Sequence, residues 1–353
     1  MNRRKFLAGA ACLAASPWRL LAQERPGTVR VGVFGLFQPS ELVVRPGPAA
    51  ALVVDAGGAT SVLRGADAAR LRLADGRLSV EISGRTLRAR VLRVAAAGGG
   101  AAPIELSVPG RITRAFLGSL QVLASGDALV PMVTMDLDVM VASVTAAEQI
   151  AGTPLDALKA QAIAARSYIT AARGRHRDFD ACDTTHCQFL REPPPAAHPA
   201  FQAAHETRRL VLAFRGAPIV ALYSASCGGR TRSLAEAGLP GAADGYPFYG
   251  VDCPYCRRHA QVWTRTLPLD GVTGRLEADR SEAARLAVGR REGWNAVPSP
   301  TFDVVREGDR LVLEGRGMGH GIGLCQAGAA AFAAEGAAVS EILRHYYPGT
   351  VIE

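Results

Sequence analysis

Between Thr28 and about Val122 the chain is written in short runs of alternating apolar and polar residues, among them TVRVGVF, GRLSVEISG and RTLRARVLRV, cut by Gly, Pro and Asp-Gly turns. A period of two places successive side chains on opposite faces of an extended strand, so this pattern specifies a β-rich N-terminal module. AAAGGGAAP, residues 95–103, reads as a flexible loop inside it. The period then changes. PLDALKAQAIAARSYITAAR, residues 154–173, carries an apolar stripe at Leu155, Leu158, Ala162 and Ala165, opens on Pro154 and stops before Gly174, which predicts a long helix. Beyond it, RLVLAFRG, PIVALYSAS and RLVLEG read as strands, and residues 281–290, an alanine-rich run from Gln326 and SEILRHYY read as helices. The expected fold class is α+β: a β-rich module followed by a mixed α/β domain with a long helix after the candidate catalytic glutamate.

The start of the chain has a different role. MNRRKFLAGAACLAASPWRLLA has a basic beginning, an apolar stretch from Phe6 to Ala15 and a small residue at Ala22, which is the make-up of a signal peptide. The apolar run is too short to span a bilayer. Arg3-Arg4-Lys5-Phe6-Leu7 resembles a twin-arginine signal, whose route exports folded proteins. The expected divisions are a signal at 1–22, the β-rich module at 23–125 and a larger domain at 126–353. The formal charge of +8 falls to +4 without the first 22 residues, and no basic run is interleaved with aromatics, so a nucleic-acid partner is not expected. No later segment is long and apolar enough to cross a membrane, and an exported protein of the periplasm or cell-wall space is expected.

Chemistry-bearing residues are few. Glu148 is the one ionisable side chain between Asp138 and Asp156. Small apolar neighbours would strip water from its charged form, raise its pKa and suit it to general acid work, the alternative being a solvated glutamate near a helix start. Lys159 stands among 38 arginines with one other lysine, in the signal, which points to a site needing a compact ammonium. Arg166, seven residues on, shares its helix face and would form with it a cationic pair for an anionic or polyhydroxylated ligand. GRGMGHGIGLCQ lacks the G-x-G-x-x-G spacing of a dinucleotide fingerprint but lets His320 and Gln326 approach a ligand closely, or else forms a tight turn around a satisfied histidine.

Six of the seven cysteines lie beyond the signal: Cys182, Cys187, Cys227, Cys253, Cys256 and Cys325. An even count in an exported chain favours pairing. His176, Cys182, His186 and Cys187 could instead supply the two nitrogens and two thiolates of a structural zinc site, with a Cys182–Cys187 disulfide as the alternative. Cys253-Pro-Tyr-Cys256 has redox spacing without the βαβ setting such motifs require.

Taken together, EQIAGTPLDALKAQAIAARSY, CDTTHCQ, SASCGGRT, GHGIGLCQAGA and LRHYYPGT resemble, in order, the blocks of the stage II sporulation protein D and LytB amidase-enhancer family, from about Arg114 to Thr350. The resemblance implies a lytic transglycosylase that cleaves peptidoglycan glycan strands stripped of stem peptides, with Glu148 as the catalytic glutamate. The alternative it implies is a non-catalytic glycan-binding enhancer with a cell-wall amidase as partner. It implies zinc at His176, Cys182, His186 and Cys187, with only the first interval matching the family, and a Cys227–Cys256 disulfide. Candidates for holding the substrate are Lys159, Arg166, Tyr223, Ser226, His320 and Gln326. Two departures flank the catalytic block: Gln149-Ile150 where the family usually has Met-Pro, and Met140 where it usually has Tyr. A single carboxyl suffices for such a reaction, because the sugar's own hydroxyl replaces the water that ordinarily calls for a second carboxylate. A weaker third reading is a thiol redox protein built on Cys253 and Cys256.

Overall fold

The computed structural model describes residues 27–240 and 248–353, so the expected signal lies outside the described residues. Strands from Thr28–Gly32 to Ala128–Asp136 build the N-terminal region around one 14-residue strand, Ile112–Ser125. Its first half pairs antiparallel with Ala102–Val108. Its second half pairs with Ala128–Asp136 on one side and with Val91–Ala96 on the other. The strand therefore passes from one sheet into another, and it does so at Gly118, where a Cβ would run into the carbonyl of Thr134. Only glycine allows that approach. Phe116, Leu120 and Val122 bury alternate positions along it, as a period of two requires.

The expected boundary at 125 falls in the hairpin turn joining Ile112–Ser125 to Ala128–Asp136, so the β-region runs on to Asp136. The loop expected at 95–103 is a shorter turn at 97–101 between two strands.

Asp136 ends the sheet and starts a helix the sequence reading did not find. Its carboxylate accepts the backbone N–H of Asp138 at 2.8 Å and of Val139 at 3.4 Å, capping α1, Leu137–Glu148. The β-branched VMVASVT run has weak helix propensity, but Val139 to Thr145 are all buried, and packing overrides propensity here. Helix α2, Leu155–Ala171, follows with Pro154 as its cap. Leu158, Ala162, Ala165 and Ile169 face the core shared with the β-region. Ala157, Ala160, Ile163 and Ala164 face the core of the C-terminal half. A helix apolar on both sides is a buried one, and its alanines let it pass between the two halves. Helix α3, Pro199–Glu206, packs on both α1 and α2.

The C-terminal half contains α4 (Pro254–His259), α5 (Glu282–Glu292), α6 (Gln326–Ala334) and α7 (Val339–Tyr346). Strands Val262–Pro268, Phe302–Glu307 and Arg310–Arg316 form a small antiparallel sheet over α5, with Trp263, Leu276, Val288 and Leu313 in its own core. The runs RLVLAFRG and PIVALYSAS form only short strands, Leu212–Phe214, Ala217–Pro218 and Tyr223–Ser224. Tyr223–Ser224 pairs in parallel with Leu324–Cys325. Gly323, at φ 69°, makes that pairing possible, since a Cβ there would strike the Leu222 carbonyl. Among the described residues no helix is long and apolar enough to cross a membrane.

Candidate functional site

Glu148 is the last residue of α1, not a helix start. Burial pushes its carboxyl up to about 7, and the amide of Gln326 draws it back a little. The helix C-terminus, with its partial negative charge, also disfavours a carboxylate there. Tyr223 lies beside it: burial raises the phenol well above its ordinary pKa, and the charge of Glu148 adds to the shift. The parallel pairing of Tyr223–Ser224 with Leu324–Cys325 is what brings Tyr223 and Gln326 to one place, although 103 positions separate them. Tyr347 fixes the strand by donating its hydroxyl to the Leu222 carbonyl at 2.6 Å.

Gln326 is buried, and although its amide lies near enough to Glu148 to favour the carboxylate, its Nε2 makes no hydrogen bond of full geometry to any of the described residues. Thr145 Oγ1, one turn before Glu148, and Gln161 Nε2, whose Oε1 lies 3.5 Å from Gln149 Nε2, have no hydrogen-bond partner among the described residues. Buried donors without partners are costly unless something binds them. Thr145 and Gln161 were absent from the sequence reading, though Gln161 was detectable as the one amide within the alanines of α2. A cavity of about 480 Å³, lined by Arg114, Ser143, Ala147, Arg191 and Glu192 among others, does not include Glu148.

A second cluster forms on the segment after α2. His176 Nε2 lies 3.1 Å from Cys187 Sγ, and His186 Nδ1 lies 3.7 Å from both Cys182 Sγ and Cys187 Sγ. All four donor atoms are within 4.8 Å of one another. The Cys187 thiol hydrogen bond pulls Cys182 down to about 4, while the same bond and burial push Cys187 up. Two imidazole nitrogens and two sulfurs at these separations suit one tetrahedral zinc ion, for which donors stand about 2.0 to 2.3 Å from the metal.

The family model described as Stage II sporulation protein matches residues 125–214, the stretch that holds α1, α2, Glu148 and this cluster. Stage II sporulation protein D of Bacillus subtilis (strain 168) is 25% identical over 264 residues, covering 61% of this chain and 74% of its own. Over this stretch the chain is similar to the stage II sporulation protein D and LytB amidase-enhancer family. An uncharacterized protein of Brachyspira hyodysenteriae is 27% identical over 267 residues, 67% of this chain and 72% of its own. The amidase enhancer of Bacillus subtilis is 45% identical over 60 residues, which is 17% of this chain and 8% of that protein.

Other residues of the family blocks fall elsewhere than expected. Arg166 is 1% exposed and is part of the core: it donates to the carbonyls of Ala204, Thr207 and Leu210 and pairs with Asp138 at 3.0 Å. It cannot reach a ligand, and the expected cationic pair with Lys159 does not form. Lys159 instead meets Glu206 at 2.6 Å and Asp156 at 3.7 Å. His320 is held neutral, its pKa lowered to about 4 by burial, and its Nδ1 accepts the Ile322 N–H at 3.1 Å. The Ser226 hydroxyl turns toward Cys256 Sγ at 3.4 Å. Cys253 and Cys256 are fully buried, so neither thiol is open to a redox partner. Cys227 and Cys256 are brought together, but as free thiols that share their place with Cys253 and Cys325.

Proposed function

We propose that this chain is an exported lytic transglycosylase that cleaves peptidoglycan glycan strands stripped of stem peptides, with Glu148 as general acid and then general base. The observation that carries this reading is a carboxyl held near 7 by burial beside Tyr223 and Gln326, with no second carboxylate acting on it among the described residues. In its protonated form Glu148 gives its proton to the oxygen bridging muramic acid and glucosamine, and the bond from that oxygen to the muramic acid C1 breaks. The sugar's own 6-hydroxyl then bonds to C1, and the Glu148 carboxylate takes the hydroxyl proton, which restores the acid. The Nε2 of Gln326, near Glu148 but without a hydrogen bond of full geometry, would donate to the carboxylate formed midway or to a sugar hydroxyl. In the same reading His176, Cys182, His186 and Cys187 hold a structural zinc ion, which supplies local stability to a segment whose only regular structure is the two-residue strand Ala181–Cys182.

The similarity to an amidase enhancer favours a second reading, a glycan-binding protein that stimulates a cell-wall amidase. Incubation of the purified protein with denuded glycan strands, followed by mass spectrometry of the ends, separates the two. New 1,6-anhydro ends support the transglycosylase. Intact strands, together with a faster amidase in the presence of this protein, support the enhancer.

A further inference from the structure

Four sulfurs in the C-terminal half form a site of their own. Cys227, Cys253, Cys256 and Cys325 are each at most 2% exposed, and their Sγ atoms all lie within 4.8 Å of one another. Cys256 and Cys325 are 3.4 Å apart, close to the sulfur–sulfur edge of about 3.8 Å in a tetrahedron with metal–sulfur bonds of about 2.3 Å. Donors surround them. Cys325 Sγ accepts the N–H of Cys227 at 3.3 Å and of Gly328 at 3.4 Å. The Ser226 hydroxyl lies 3.4 Å from Cys256 Sγ, and the Tyr346 hydroxyl 3.3 Å from Cys253 Sγ. Donors aimed at sulfur match thiolates, which carry charge and accept hydrogen bonds well, better than disulfide sulfurs, which are neutral and weak acceptors.

We propose that Cys227, Cys253, Cys256 and Cys325 bind a second zinc ion in a closed, four-sulfur structural site, distinct from the one at His176–Cys187. Four buried ligands leave no open position, which makes the ion structural and not catalytic. The ion joins three separate stretches: the loop after Tyr223–Ser224, the start of α4 and the residue that caps α6. Cys325 directly precedes Gln326, and Cys227 lies four residues beyond Tyr223, so the ion fixes the two strands that carry both neighbours of Glu148. Gly328 belongs to the same packing, because a Cβ there would meet Tyr346 Oη and Cys253 Sγ.

The test is zinc content and zinc-edge X-ray absorption of the full chain recovered from the exported fraction without chelator. The Cys182→Ser variant, which leaves all four of these cysteines intact, is expected to keep one equivalent of zinc with a shell of four sulfurs. If that variant does not fold, the unmodified protein serves: two equivalents averaging three sulfurs to one nitrogen, or one equivalent with four sulfurs, support the site. A shell with two nitrogens only, iron in place of zinc, or a peptide map linking any two of Cys227, Cys253, Cys256 and Cys325 through a disulfide would overturn it.

Discussion

Glu148 is protonated or ionised at neutral pH in comparable amounts, because burial lifts its carboxyl to about 7. The sign of the stability effect follows. Well below the ordinary carboxylate range the group is neutral in both folded and unfolded chains and has no effect. As the pH rises, the unfolded chain ionises first, so folding loses stability until the folded group also ionises near 7. Discounted for the partial exposure of the side chain, the loss is about 2 kcal/mol. Glu148→Gln is therefore expected to resist urea better than the parent at alkaline pH, with an advantage that vanishes in acid; equal midpoints at alkaline pH would place the carboxyl in water. The rate should fall as pH rises through about 7, since the first step needs the proton. The raised pKa of this residue was one of two readings that a lone carboxyl among small apolar neighbours offered, beside a solvated glutamate, and its catalytic assignment came from the family resemblance. Arg166 was misread because the sequence shows its charge, but not Asp138 and the three carbonyls that converge on it from α1 and the end of α3. Arg166→Ala should destabilise the fold by about 3 to 5 kcal/mol, as loss of one partner from a buried ion pair does, and chemical denaturation would measure it.

At the scale of elements, α6 gives a case where two effects oppose each other. Alanine is better than glycine inside a helix by about 1 kcal/mol. Gly328 stands against Tyr346 and Cys253 with no room for a methyl group, and overpacking of that kind costs about 1 to 3 kcal/mol. Gly328→Ala is expected to lower the melting temperature, and a rise would mean that the α6 to α7 contact yields. The helices at the C-terminal end were legible because their stripes and caps are local. Helix α1 was not, since its VMVASVT run favours strands by propensity and becomes helical only through burial between the sheets and α2 and α3. The parallel pairing of Tyr223–Ser224 with Leu324–Cys325 is likewise invisible to periodicity: each strand is two residues long, and its partner is distant in the chain.

At the scale of the molecule, α2 lies between two cores, and the site stands where α1, at the edge of one, meets the strand pair of the other. The proposed cleavage at that junction would depend on the C-terminal half holding Gln326 and Tyr223 against Glu148. The two proposed zinc ions would contribute to that hold, so a strong chelator should lower the melting temperature by several degrees and zinc should restore it, as for structural zinc elsewhere; a melting curve indifferent to chelator would leave packing alone to do so. The order of the family blocks made this domain recognisable from sequence, yet the four-sulfur cluster was not, because the family resemblance implied a Cys227–Cys256 pair and nothing in the sequence showed that Cys253 and Cys325 join them. The central claim is that Glu148 moves the proton. The direct measurement is the rate of 1,6-anhydro-end formation from denuded glycan strands by the parent and by Glu148→Gln, with strand binding measured in parallel. The account predicts a loss of about 10²- to 10⁴-fold in rate with binding retained, whereas an unchanged rate in the variant would contradict it.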